Sequence, residues 1–469
     1  MKSLIKRNEK QPAFGIVRYL ILAVLMLQMS SCEKSIEPEF PDYLLSDEAI
    51  FENASTVNAA MANIYAGLRD NSPVSGSTDG MNVILGLYAD ELDYYRADSP
   101  IDYAFYNHAV LPDNGAIASF WNNSYALIYS VNAIVEGLET SPLSESEKEH
   151  FLGEAYFLRA YLHFYLTQLF GSIPYIKTTD HSINATVSRM PLETVYSDVE
   201  QDLITARSLL PEMDSSGERL RASPGVATAM LARFYIHTKQ WDKAFSESDN
   251  LITSGMYTWQ PHLQDVFLKE SPSTIWQLKP EFAGAATKEG EVFIFDFGPP
   301  YLYALTENFM QGFETGDLRK DIWVHGITDG TETWFHPYKY KQGMFGGNSS
   351  EYSILFRLAE QYLIRAEAAM QLGNLQEAKE DINIIRLRAG LSPNTASSLE
   401  DLRSELMRQR KYELFTEQGN RWFDLKRMEV ASQTLGPIKT GWKSTDVLFP
   451  LPQKELLLNP NLNPQNLGY

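Results

Sequence analysis

Cysteine is almost absent. Cys32 is the only one in 469 residues, so the chain has neither an intrachain disulfide nor a multi-thiolate metal site. Positive charge is also scarce: 40 Lys and Arg stand against 60 Asp and Glu, a formal charge of −20. A surface of that sign repels phosphates and anionic headgroups, which excludes nucleic-acid binding. The eight histidines are scattered, with no pair at metal-ligand spacing. There is no H-E-x-x-H, no G-x-S-x-G and no phosphate-cradling glycine loop. No enzyme activity, metal or cofactor is therefore expected. Asp90, Glu91 and Asp93 in "YADELDYY" are the one carboxylate cluster of note. Glycosidase carboxylates come from separate elements and flank a bond at about 5–9.5 Å. Acids this close in sequence are expected to form a solvated helix end or loop.

What is present begins at the N-terminus. Lys2, Lys6, Arg7, Lys10 and Arg18 precede the apolar run "YLILAVLMLQM", residues 19–29. Spanning a bilayer takes about 20 residues, so this run fits the core of a secretory signal peptide instead. Ser30 and Ser31 lead directly into Cys32, which resembles the lipobox of bacterial lipoproteins. That resemblance implies a signal peptide over 1–31 and a diacylglycerol on the Cys32 thiol, with acylation of the new N-terminus. Several acyl chains, at about 0.8 kcal/mol per buried methylene, make a stable anchor. Cleavage would leave 35 basic against 59 acidic residues, a formal charge of −24, so membrane contact is assigned to the lipid alone. Residues 32–45, with Pro38 and Pro41, read as a lipidated tether. Its extended reach is roughly 40 Å, at about 3.3 Å per residue.

Beyond the tether, helices dominate. Val57, Met61, Ile64, Tyr65 and Leu68 share one helical face, as do Trp121, Tyr125, Ile128, Val131, Val135 and Leu138. Phe151, Ala155, Leu158, Leu162, Tyr165 and Leu169 predict a further helix stopped by Gly171 and Pro174, and another runs from Leu192 to Leu210. The stretches "LARFYIHTKQWDKAFSESDNLI" and "RAEAAMQLGNLQEAKEDINIIR" superimpose, matching Ala232 with Ala366 and Ala244 with Ala378. This spacing resembles the tetratricopeptide repeat, where small residues let antiparallel helices approach closely. Residues 253–350 are rich in glycine, proline and aromatics. There "STIWQLKP", "EVFIFDFGPP" and "TETWFHPYKYK" predict short strands or hairpins in long loops. The reading is a mostly α protein: a helical region over 46–252 with tetratricopeptide-like pairs, a loop-rich insert over 253–350, and a helical region with a docked tail over 351–469. With 44% hydrophobic residues and 12% aromatics, the chain has ample core material.

A series of motifs then occurs in order: "WNNSYALIYSVNAIV", "GEAYFLRAYLHFYLTQLFGSIPY", "FETGDLRKDIW", "FRLAEQYLIRAEAAMQLGN", "INIIRLRAGL", "RKYELFTEQGNRWFDLKR" and "LFPLPQKELLLNPNLNPQNLGY". Together they resemble the SusD/RagB family of nutrient-binding outer-membrane lipoproteins, over about residues 46–469. Physically, most of these motifs are structural. Arg410, Glu413, Glu417, Arg421, Asp424 and Arg427 read as a charge network, since such groups stay buried only when paired. Asn466, Gly468 and Tyr469 suggest a tail docked into the fold.

The resemblance implies a surface lipoprotein that binds an oligo- or polysaccharide. It implies a SusC-like TonB-dependent outer-membrane transporter as partner, with this chain as its lid. Alternatives are a peptide-binding lid of the RagB type, a protein-binding scaffold and, more distantly, a surface glycoside hydrolase. Sugars present flat apolar faces rimmed by hydroxyls, which aromatic rings stack on and polar groups bond. Two aromatic clusters fit that chemistry. One holds Tyr94, Tyr95, Tyr103, Phe105 and Tyr106, and the other Tyr301, Tyr303, Trp323, Trp334 and Phe335. From these, Tyr94, Tyr95, Tyr103, Tyr106, Tyr301, Tyr303, Trp323 and Trp334 are the candidate glycan contacts. The resemblance places the ligand arc in loops from these two regions without assigning individual residues.

Overall fold

A computed structural model describes residues 47–212 and 217–469. The signal peptide, Cys32 and the tether lie outside the described residues. The chain divides into a unit of residues 1–50, of which only the short helix Asp47–Ile50 is described, and a unit of residues 51–469.

The larger unit is built on helices whose ends are written in the sequence. Helix α1 (Ala54–Asn71) starts where the Asn53 side chain accepts the Thr56 N–H at 3.1 Å. It buries the five residues that its periodicity singles out. After α2 (Met81–Tyr88), strand β1 (Leu92–Tyr94) and α3 (Pro100–Tyr106), the long α4 (Gly115–Glu139) is capped by Asn114. Helix α5 (Glu145–Phe170) opens with a Ser144–Glu147 capping box. It ends at Gly171, whose φ of +75° few other residues adopt cheaply. From Gly153 to Phe170 nearly every side chain of α5 is buried, which makes it the central helix of the unit.

The following helices pack in series. Helix α6 (Leu192–Leu209) lies on α5, α7 (Pro224–His237) on α6, and α8 (Trp241–Thr253) on α7. After the insert, α9 (Leu358–Gln371) packs on α8, α10 (Leu375–Arg388) on α9, and α11 (Leu399–Glu413) on both α9 and α10. Ala232, Ala244, Ala366 and Ala378 are all fully buried, as close helix approach at the two superimposed pairs requires. Helix α12 (Asn420–Arg427) follows.

Strand β2 (Thr274–Leu278) pairs antiparallel with β6 (Ser353–Arg357), which runs straight into α9 and so ties the two ends of the insert together. Strand β3 (Tyr303–Leu305) pairs with β1, and β4 (Val324–Thr328) with β5 (Thr333–Pro337). One expected strand is a helix: Lys288–Phe293, within "EVFIFDFGPP" and its approach, is helical. Thr287 Oγ1 accepts the Gly290 N–H at 3.1 Å, and the turn buries Glu289 against Asn82 Nδ2 (3.3 Å) and Ser353 Oγ (2.7 Å). Those bonds to α2 and β6 outweigh the local strand pattern.

The charge network is present and buried. Arg357 bonds Glu413 at 2.5 Å and Glu417 at 2.8 Å, and Lys339 bonds Glu417 at 2.5 Å. Arg388 and Arg319 also face Glu413. Arg410 bonds Asp424 at 2.6 Å, while Arg427 joins Asp424 (2.7 Å) to Glu367 (2.5 Å). The tail is docked by Asn466 Nδ2, which donates to the carbonyls of Phe170 (2.8 Å) and Phe449 (2.7 Å).

Asp90 and Glu91 are corrected by this network: they are buried, not solvated. Asp90 accepts from Arg421 at 2.6 Å and Lys411 at 2.8 Å. Burial raises its pKa, but these two cations outweigh it and hold Asp90 well below the usual range. Beside it, Glu91 Oε1 has no hydrogen-bond partner. Burial and the Asp90 charge push the Glu91 carboxyl up to about 8. A carboxyl raised on folding favours the fold while it stays protonated, and that contribution is lost as pH rises toward 8. Glu91→Gln should therefore melt higher than the parent at pH 8–9, with the gap closing near pH 5. A gap that stays constant across this range in calorimetric scans would refute the assignment.

Candidate ligand-binding site

Strand pairing brings the two predicted aromatic clusters together. In the β1–β3 register Tyr94 faces Tyr303, and the Tyr95 N–H donates to the Leu302 carbonyl at 2.8 Å. The segment after β1 therefore runs beside the loop that precedes β3. Strand β5 packs on β3 and brings up Trp334. The loop backbone comes close to that indole because residue 298 is glycine. A Cβ there would sit 2.2 Å from Trp334 Cε3 and Cζ3.

Three of the predicted rings are open to solvent: Tyr301 (74% exposed), Tyr103 (55%) and Tyr95 (37%). Tyr95 lies beside Trp334, and burial together with the Asp93 and Glu332 charges raises its phenol pKa. Trp334, Tyr94 and Tyr106 are half-buried. The Tyr94 and Tyr106 rings meet with centroids 5.3 Å apart, and Tyr106 donates to Asp93 Oδ1 at 2.8 Å. The Lys439 ammonium lies 3.6 Å from the Tyr106 ring centroid. Tyr106 is thus held by Asp93, Tyr94 and Lys439.

Two candidates are corrected. Tyr303 is fully buried and its hydroxyl donates to Asp102 Oδ1 at 3.2 Å. Trp323 is fully buried, with its indole N–H donating to the Leu263 carbonyl at 2.9 Å and its ring against Phe267 and Lys339. Both rings support the fold and have no face left for a ligand.

Sequence reasoning missed Phe297, which is exposed on the same loop, and the polar rim. Arg96 lies 3.9 Å from Asp102 Oδ2, an oxygen with no hydrogen-bond partner. Burial raises the Asp102 carboxyl pKa. The Gly298-Pro299-Pro300 run next to two aromatics was the available signal for the loop. Exposed rings on a platform of paired segments, with the partly exposed Arg96 guanidinium near them, suit a ligand with flat apolar faces and hydroxyl edges. Among the described residues, no three His, Cys, Asp or Glu side chains cluster as a metal site, and no helix is long and apolar enough to cross a membrane.

Comparison with known proteins agrees with this architecture. A family model described as "Starch-binding associating with outer membrane" matches residues 47–236, and one described as "SusD family" matches residues 324–469. The chain belongs to the SusD family. The SusD-like protein P2 of Formosa agariphila is 27% identical, over 95% of this chain and 98% of its own. A SusD superfamily crystal structure from Bacteroides vulgatus has a TM-score of 0.78 at 23% identity, covering 89% of this chain and 100% of that one. Surface glycan-binding protein A from Bacteroides thetaiotaomicron, in complex with laminarihexaose, has a TM-score of 0.74 at 16% identity, covering 88% and 99%. The helical SusD-like fold expected from the motifs is the fold observed.

Proposed function

We propose that this SusD-family chain is a lipid-anchored surface protein of the outer membrane that binds an oligo- or polysaccharide without cleaving it. It delivers the glycan, as a lid, to a SusC-like TonB-dependent transporter. One observation carries this reading: exposed Tyr95 and Tyr301 lie on neighbouring segments distant in sequence, brought together by β1–β3 pairing. A structural neighbour captured with laminarihexaose supports the ligand class. A structural neighbour named a surface glycan-binding protein supports binding without cleavage.

Protein from Glu33 onward should bind a neutral polysaccharide in calorimetry with roughly micromolar to millimolar affinity, enough where a partner adds contacts and avidity. It should release no reducing ends from that ligand over hours. Binding of peptides alone would favour the peptide lid, and steady sugar release would favour an enzyme. The Cys32 anchor is tested separately. Cys32→Ala should leave the precursor unlipidated and remove it from the outer-membrane fraction, and unchanged fractionation would reject the lipobox.

A further inference from the structure

A second concave site lies away from the platform and shares no lining residue with it. It is a cavity of about 530 Å³ between α4, the segment 174–187 and the C-terminal helix α13 (Gln453–Leu458) with the residues that follow it. That volume is within the range of about 300–1,000 Å³ typical of small-molecule sites. Its walls are pinned. Tyr125 donates to the Pro174 carbonyl at 2.8 Å. Asn459 and Asn461 donate to the carbonyls of Val187 and Thr186, both at 2.8 Å, and Arg189 holds Pro464 and Asn466 at 2.6 Å. The cavity is therefore formed before any ligand arrives.

We propose that this cavity is a second carbohydrate subsite, holding one or two neutral sugar rings. This rests on the glycan-binding reading and extends it to a separate place on the molecule. Tyr129, 54% exposed on the cavity wall, offers an aromatic face for stacking. Trp121 also lines the cavity and is only 4% exposed as a residue. Its indole N–H is open to solvent rather than sealed off, which leaves it available to a ligand oxygen. Asn122 and Glu455 line the same space and add an amide and a carboxylate to it. Asn184 spends its amide nitrogen on the Thr178 carbonyl, which leaves its side-chain oxygen.

The lining selects the ligand class. Glu455 is its one charged group, with no cation opposite, so an anionic ligand is disfavoured. A purely apolar ligand would leave the indole and the amides desolvated without partners. A neutral polyol with a flat apolar face satisfies both the rings and the polar groups.

Indole N–H resonances of the intact protein provide the test, since the chain has only eight tryptophans. Trp121→Phe assigns the Trp121 signal. Titration with glucose, galactose, mannose and xylose separately, and with laminarihexaose, should shift that signal saturably with at least one sugar. Tyr129→Ala, a change at an exposed ring, should weaken that response by about fivefold or more, while the Trp334 response is unaltered. A Trp121 signal indifferent to every sugar while Trp334 responds would overturn this subsite and leave the platform standing. Silence of both signals would reject both readings. A Trp121 shift with an aliphatic alcohol or a peptide, but with no sugar, would also overturn it.

Discussion

Glu413→Ala should be among the most destabilising single changes in this protein, at about 3–5 kcal/mol. Glu413 is fully buried on α11 and faces Arg357, Arg388 and Arg319. Burial raises its pKa, but those three guanidiniums overrule it and hold the carboxyl at about 2. Removing the carboxylate leaves Arg388 and Arg319 in a dry interior with less than their full complement of counter-charge. Arg357 retains Glu417, and Arg319 retains Asp317 at 2.7 Å, which sets the estimate below total collapse. A domain's net stability is commonly about 5–15 kcal/mol, so this loss is a large fraction of it. Urea unfolding followed by circular dichroism measures the change. Glu413→Gln should fall between parent and alanine variant, because it restores hydrogen-bond acceptance without charge. The pH dependence has a definite sign. A carboxyl lowered on folding contributes stability above its unfolded value of about 4.5, and that contribution is lost as pH falls toward 2. The gap between parent and Glu413→Ala should thus narrow below pH 4. A cost under about 1 kcal/mol at pH 7 would place the cluster in the class of weak exposed ion pairs and refute the buried-network account.

This network was legible as residue types before it was visible as geometry, because charged groups repeated along a motif have to be paired if buried. Its partners were not. Asp90 lies 331 positions from Arg421 and 321 from Lys411, and nothing local distinguishes a buried acid from a solvated one. The helices were legible for a different reason. A 3.6-residue period is a local signal, and the faces of α1 and α5 are read directly from it. The loop-rich insert carries no such period. Its aromatics sort into site and core only when strands pair. Tyr301 and Tyr303 are two residues apart, yet one is 74% exposed and the other fully buried in β3. The second cavity was illegible in the same way, because its walls come from α4, from residues 174–187 and from residues beyond 453.

That contrast between Tyr301 and Tyr303 sets up the other large effect. Tyr95→Ala combined with Tyr301→Ala should weaken glycan affinity about tenfold or more. Each stacked ring contributes on the order of 0.5–1.5 kcal/mol beyond area burial, and about 1.4 kcal/mol is one decade in Kd. Both rings are substantially exposed, whereas the Tyr106 and Tyr303 phenols are tied to Asp93 and Asp102. The melting temperature should therefore barely move. Tyr303→Ala should behave in the opposite way. It removes a fully buried ring and the hydroxyl that satisfies Asp102 Oδ1, and large-to-small core changes of aromatics cost about 3–5 kcal/mol. Its loss of binding, if any, should track loss of fold. Calorimetric titration and thermal melting on the same three preparations separate the cases. Affinity unchanged in the Tyr95/Tyr301 double variant would remove these rings from the site while leaving the fold and family intact. A melting temperature that dropped with affinity would make them structural. The combination that identifies a binding platform is weakened affinity on an unaltered fold for the exposed pair, beside a destabilised Tyr303→Ala.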